Sequence, residues 1–282
     1  MQTNPVVRRL AARIRLNAVR MVARQGFGYL GQALSSAEIF ATLYGGGCLR
    51  HGRDRFVLSP GHYVIALYAA AAELGLLEAS QLDHYGEDGA LLEAIGSERT
   101  PLVDLVCGSL AQGLSGAIGF ALAAHLEHVA HLEHTGHGEQ VQREARDTYV
   151  FVSDGEMEEG QTWEAAMFAA HHRERMGRLV VVIDANDSQV DGTVASVTTL
   201  EPLAQKWRAF GWHAIEVDGH DIQALSAAFA TRAPQRAPLV IIARTEIFGR
   251  MRSLPPGADG HFVKLDATLE RALVAELESA LA

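Results

Sequence analysis

Two residues set the chemistry to look for. Asp154 opens the segment Asp154-Gly155-Glu156, and Asn186 follows 32 positions later. A carboxylate and a side-chain amide oxygen are hard donors that suit Mg²⁺, which keeps few protein ligands and takes phosphate oxygens for the rest. Each residue follows an apolar, β-branched run, Thr148–Val152 and Val180–Asp184. If these runs are parallel strands, both ends open at the same sheet edge, where ligands bind. Gly155 lets the backbone come close. The helix expected next points its N-terminus at the same place, which favours a phosphate anion.

The elements that must position this pair are legible on either side. EGQTWEAAMFAAHHRERMG reads as a helix between the two strands, making a βαβ unit with a parallel sheet. Residues 7–24 place Val7, Leu10, Ala11, Ile14, Ala18 and Met21 on one stripe of an amphipathic helix with a basic outer face. Ser35 and Ser36 precede AEIFATLY as N-cap candidates for a second helix. Phe56–Leu58 reads as a short strand ending in the turn Ser59-Pro60-Gly61-His62, followed by the helix YVIALYAAAAELGLL. Between Gly108 and Ala124, Gly108, Gly113, Gly116 and Gly119 predict a loop opening into a closely packed helix. Helices near Pro202–Phe210 and Ile222–Thr231 alternate with strands at Trp212–Val217 and Pro238–Arg244, and TLERALVAELESALA closes the chain as a helix. The alternation predicts an α/β fold: one doubly wound, mainly parallel sheet flanked by helices, in a single domain over residues 1–282.

Composition narrows the function classes. With 24 Lys+Arg against 34 Asp+Glu, a net charge of -10 argues against nucleic acid and anionic membranes as partners. No apolar run approaches a membrane span, and Met1–Arg9 lacks a signal-peptide core. The two cysteines, Cys48 and Cys107, have no metal-ligand spacing. The expectation is a soluble cytoplasmic protein with free thiols.

SDGEMEEGQTWEAAMFAA followed by VVVIDANDSQVDG resembles the thiamine-diphosphate signature of transketolases, with Ser153 where the family usually has glycine. The resemblance covers nearly the whole chain. It implies the thiamine-diphosphate-binding fold of the domain that grips the cofactor's diphosphate (the PP-type domain). It implies that Asp154 and Asn186 bind Mg²⁺ through their side chains and Ser188 through its carbonyl, with Gly155 and Glu156 in the cofactor-binding segment. SPGH resembles the family's Ser-Lys-Gly-His, which assigns His62 to the diphosphate. GSLAQGL resembles the family turn along the cofactor, which maps to Gly108, Ser109 and Leu110. The late loop GADGHFVKLD makes His261 a candidate near diphosphate and substrate. Glu159 and Glu164 fall where the family places acidic residues at a subunit interface; the alternative is charges complementing a helix dipole.

Transketolases have further domains, and the second supplies a glutamate that activates the cofactor. The resemblance therefore implies the N-terminal subunit of a split transketolase, active only with a C-terminal partner carrying the pyrimidine-binding domain, in an α2β2 assembly. Its reaction would move a two-carbon ketol unit from a ketose donor to an aldehyde acceptor. Two substrate-facing histidines of the family are absent: Tyr29 stands for one, as a substrate contact or as packing, and Gly96-Ser97 for the other. Imidazole exchanges protons near neutral pH and these side chains do not, so a non-standard substrate is expected. Arg250 and Arg252 read as solvated loop charges. Other readings are the α-subunit of a 2-oxoacid dehydrogenase, which shares the metal motif, and a non-catalytic binding subunit. His125, His128, His131, His134 and His137 recur every three residues, but steps of three drift round a 3.6-residue helix, so a solvated face is expected rather than a zinc site.

Overall fold

The stripe at the start of the chain becomes helix α1, Asn4–Gln25, in a computed structural model that describes residues 4–135, 146–231, 237–255 and 257–281. Val7, Leu10, Ala11, Ile14, Ala18 and Met21 are all buried. The basic outer face is incomplete, because Arg15 turns inward. Its guanidinium meets both carboxylate oxygens of buried Glu38, at 2.6 and 2.5 Å. A buried cation needs such a partner.

After a two-residue strand β1, Phe27–Gly28, the chain forms α2, Leu30–Ser35, then α3, Ala37–Phe40, and a π-helical turn, Ala41–Gly45. The single capped helix expected here is thus broken into pieces. Neither serine caps through its side chain. Ser36 Oγ donates back to the Gln32 carbonyl at 2.6 Å, and Ser35 Oγ donates to Asp184, far away in sequence.

Next come β2, Arg55–Pro60, a 3₁₀ turn at Gly61–Tyr63, α4, Val64–Glu73, and β3, Leu105–Cys107. Helix α5, Gln112–Thr135, leads to β4, Thr148–Ser153, α6, Gly160–His171, and β5, Leu179–Ala185. A short α7, Val194–Val197, precedes α8, Leu203–Ala209, β6, His213–Asp218, α9, Ile222–Ala230, and β7, Leu239–Arg244. Finally β8, Val263–Lys264, pairs antiparallel with β1, and α10, Ala267–Leu281, follows. Strands β1, β3 and β8 were not anticipated; two or three residues carry no readable period.

The main sheet has six strands in the order β3-β2-β4-β5-β7-β6, all parallel. Alternate residues of one strand face opposite cores. Tyr149 and Phe151 join the cluster with α1, α4 and α9, while Val150 and Val152 join the one with α5, α6 and α8. Burial on both faces explains why these strands read as continuous apolar runs. This is the doubly wound α/β architecture. The close packing expected of the glycines holds at two of four. A Cβ on Gly113 would strike Ser59, and one on Gly116 would strike Leu105, whereas Gly108 and Gly119 face open space.

Among the described residues no helix is long and apolar enough to cross a membrane. Nor do they hold three His, Cys, Asp or Glu grouped to grip a metal. His137 lies outside the described residues, as do the side chains of His131 and His134.

Candidate active site

The order of strand succession reverses between β2 and β4, since β3 lies on one side of β2 and β4 on the other. Such a switch point leaves a crevice at the carboxyl ends of the strands. A cavity of about 340 Å³ lies there, lined by residues from the ends of β2, β4 and β5 and from the loop before β8.

Register brings the metal pair together. Ser153 lies opposite Asp184, so Asp154 and Asn186 leave neighbouring strand ends. Asp154 is 4% exposed and lines the cleft. Its Oδ1 accepts the Gly155 N–H at 2.9 Å and its Oδ2 the Asp187 N–H at 2.8 Å. Asp187 has a left-handed backbone, φ 59°, in the turn that presents its N–H to that carboxylate. Burial, reinforced by the nearby Asp184 charge, pushes the Asp154 carboxyl up to about 7. A cation at this site would offset that cost.

Asn186 is oriented from behind. Its Nδ2 donates to Asp184 Oδ2 at 2.9 Å and to the Tyr63 hydroxyl at 3.1 Å. Its Oδ1 is left on the other side, accepting the Ser188 N–H at 3.0 Å with a second lone pair to give. The anchor is Asp184, fully buried, which the sequence reading passed over. Its Oδ2 also accepts from Ser35 Oγ at 2.6 Å and Tyr63 OH at 3.0 Å, and its Oδ1 from Thr245 Oγ1 at 2.5 Å. A carboxylate closing an all-apolar strand was the available signal. Burial raises the pKa values of Asp184 and Tyr63.

The donors therefore fit Mg²⁺: a carboxylate, an amide oxygen and, at Ser188 on the cleft wall, a backbone carbonyl, all hard oxygens. Space for phosphate is also present. A Cβ on Gly155, which lines the cleft, would meet nothing nearer than Gln189 Cδ at 4.0 Å. The expected helix N-terminus is replaced locally by a 3₁₀ turn, Gly155–Glu158, ahead of α6.

The far wall carries the histidines. Tyr29 packs edge-on against both His62 and His261, ring centroids 4.6 and 5.6 Å apart, and the two imidazoles lie 5.9 Å from each other. Burial lowers both histidine pKa values, and each ring is therefore neutral at pH 7. Leu110 and Glu159 also line the cleft.

Other expected residues sit elsewhere. Gly108 and Ser109 are exposed in the turn before Leu110. Glu156 does not face the cleft: it is fully buried, accepts from Ser59 Oγ, and takes the Ala111 and Ser153 N–H groups at 2.7 and 2.9 Å. Both oxygens are spent stapling β2, the turn before α5 and β4 together, so the side chain is turned away from the cleft. Glu164 is exposed on α6. Ser97 accepts the Arg99 N–H and its own N–H bonds Thr100 Oγ1, away from the cleft. Arg250 pairs with Asp218 and Glu246 at the surface. Besides Asp184, the unanticipated residues are Gln32, Tyr63 and the pair Gln189–Glu158, joined at 2.6 Å across the cleft mouth.

Fold and site define a doubly wound α/β chain with a polar cleft at its switch point, and comparison with known proteins gives it a family. Residues 6–279 match the family model described as transketolase, thiamine diphosphate binding domain. The chain belongs to the transketolase family. It is 37% identical over 279 residues to the 6-deoxy-6-sulfo-D-fructose transketolase subunit SqwG of a Clostridium species, covering 94% of each chain. It is 36% identical over 268 residues to a transketolase family protein of Sinorhizobium fredii, covering 91% of this chain and 89% of that one. Among solved structures, transketolase from Campylobacter jejuni superposes with a TM-score of 0.85 at 23% identity, which shows the fold; the match covers 98% of this chain and 43% of that one. A Pichia stipitis transketolase gives 0.82 at 26% identity, covering 96% and 40%. The chain thus spans less than half the length of these solved transketolases.

Proposed function

We propose that this chain is the diphosphate- and metal-gripping subunit of a two-component ketol-transfer enzyme, completed by a separate C-terminal subunit in a cytoplasmic α2β2 assembly. The observation that carries the reading is the Asp154–Asn186 pair on adjacent parallel strand ends, with the Asn186 amide nitrogen fixed by Asp184. The match to SqwG, itself named a subunit and covered over 94% of its length, supports the division into two chains.

When bound, thiamine diphosphate supplies a carbon nucleophile for the carbonyl of the donor ketose. The residues of this chain bind and orient. Asp154, Asn186 Oδ1 and the Ser188 carbonyl hold Mg²⁺, and Gly155 leaves room for the diphosphate. His62 and His261, neutral at pH 7, act as N–H donors toward anionic oxygens rather than as fixed cations. Leu110, with the turn Gly108-Ser109 ahead of it, lies along the cofactor. Exposed Glu159 and Glu164 face the partner interface. The partner subunit supplies the activating glutamate.

Tyr29 changes the substrate end. A phenol wedged against both imidazoles offers bulk and one hydroxyl where the family has a proton-exchanging ring. The preferred sugar is therefore other than an ordinary pentose phosphate. Two relatives carry names of the same kind, for 6-deoxy-6-sulfo-D-fructose and for apulose 4-phosphate.

Co-expression with the neighbouring open reading frame and assay of ketol transfer tests the reading. Transfer that needs both chains, Mg²⁺ and thiamine diphosphate is expected. CO₂ release from a 2-oxoacid would replace it with a dehydrogenase, and efficient turnover of pentose phosphates would sink the substrate assignment. Failure of the complex to bind cofactor would leave a non-catalytic subunit.

A further inference from the structure

Gln32 is only 2% exposed, yet it reaches the cleft. Its Nε2 lies 3.0 Å from His261 Nδ1, while its Oε1 is buried without a hydrogen-bond partner among the described residues. An unpaired buried acceptor is costly, so its retention calls for a reason.

The contact is built by backbone packing. A Cβ on Gly31 would strike the Gly260 carbonyl oxygen and lie 2.8 Å from Ile247 Cγ1. Helix α2 therefore lies directly on the loop before β8, which sets residue 32 against residue 261.

The direction of the amide follows from satisfaction. With Nε2 toward the ring, one N–H donates to Nδ1, and an oxygen and one N–H remain. Turned over, Oε1 would accept from Nδ1–H and leave both N–H groups unpaired. Orphaned buried N–H groups are the rarer of the two faults. Nδ1 is then an acceptor, and the ring's single proton sits on Nε2. The other groups facing His261 are the rings of His62 and Tyr29 and the Asp259 carboxylate, which also accepts the His261 backbone N–H at 2.8 Å.

We infer that Gln32 is a positioning residue for His261: it holds Nδ1 as an acceptor and so presents Nε2–H to the cleft as a neutral donor for an anionic phosphate oxygen. The ligand half rests on the diphosphate reading above; the tautomer half does not.

Nitrogen-15 spectra of the histidine rings in the full chain, with His261 assigned by its loss in His261→Asn, test the tautomer. The wild type should show an unprotonated Nδ1 at pH 7. Gln32→Glu should move the proton to Nδ1 and raise the ring's titration midpoint by more than about one unit, as a carboxylate partner does. Gln32→Met, of similar length without the bond, should lose the tautomer preference. A protonated Nδ1 in the wild type, or one tautomer and midpoint shared by all three chains, overturns the inference. Denaturation midpoints recorded alongside show whether each variant folds; if Gln32→Met does not, the wild type and Gln32→Glu decide. The donor role is read separately with magnesium pyrophosphate on the two-chain complex, where Gln32→Met must select the Nε2–H tautomer from a mixture and should bind about two- to threefold more weakly. Unchanged affinity with a shifted tautomer overturns that role. If even the wild-type complex binds neither pyrophosphate nor thiamine diphosphate, the diphosphate reading falls with it, while the spectra still decide the tautomer.

Discussion

Replacing Asp184 with asparagine should damage metal binding far more than folding. Asp184 Oδ2 accepts three donors, from Ser35, Tyr63 and Asn186, and Oδ1 accepts one, from Thr245. In Asp184→Asn the amide oxygen can take the three donors, and the amide nitrogen can face Thr245, whose hydroxyl turns to accept. Four bonds survive, but each falls from charge-assisted to neutral, a loss of ~1 kcal/mol apiece. Against that gross loss of ~4 kcal/mol stands the desolvation of a fully buried carboxylate, itself several kcal/mol, which the variant no longer bears. Net stability should change by under ~2 kcal/mol. The metal site has no such offset. The Asn186 amide loses its charged anchor, and a negative charge behind the cation disappears. Together these should weaken Mg²⁺ by ~1–2 kcal/mol, or roughly 5- to 30-fold. Calorimetric titration of Mg²⁺ into the cofactor-saturated complex, with urea denaturation of the same preparation, measures both. Asp184→Asn that binds Mg²⁺ within about twofold of wild type would falsify the view that Asp184 acts through Asn186.

Glu156→Ala leaves the Ala111 and Ser153 N–H groups and the Ser59 hydroxyl without their buried acceptor, and should cost ~3–5 kcal/mol in urea denaturation; a loss below ~1 kcal/mol would show that the staple is not needed. Gly31→Ala must push α2 off the loop before β8, with an expected cost of ~1–3 kcal/mol and a loosened His261; unaltered stability with unaltered pyrophosphate binding counts against the close approach. Relative to Asp154→Asn, the metal-free chain should lose stability as pH rises. The Asp154 carboxyl is raised from 3.8 to about 7 on folding, so its contribution is full below the lower value and lost through the upper one. That amounts to up to ~4 kcal/mol, and Mg²⁺ with cofactor should flatten the slope. An identical pH dependence in Asp154→Asn would remove Asp154 as its source.

The strand and helix alternation was legible because the sheet is buried on both faces, which gives strands such as Val180–Asp184 an unbroken apolar signature. The meeting of Asp154 with Asn186 was legible for a related reason: both residues sit just past such runs, and a parallel register does the rest. Long-range polar partners were not. Ser35 looks locally like a helix cap, and only the fold reveals that its acceptor is Asp184. Arg15 looked like one more surface cation until Glu38 was placed beneath it. Glu156 reads as part of an acidic, ligand-facing loop, yet a carboxylate with three donors inside the protein is better satisfied there than at the cleft. Sequence proximity to Asp154 could not tell these apart.

The two-residue pairing of β1 with β8 joins Phe27–Gly28 to Val263–Lys264, and those strands hold Tyr29 and His261 on one wall. Tyr29 and His261 stand 232 positions apart in sequence, and the strands that bring them together share two register pairs. Asp154 and Asn186 are 32 positions apart and follow strands that share six. The wall is thus the part of the cleft with the higher contact order and the weaker ladder, and it should open at a lower free-energy cost than the opposite corner.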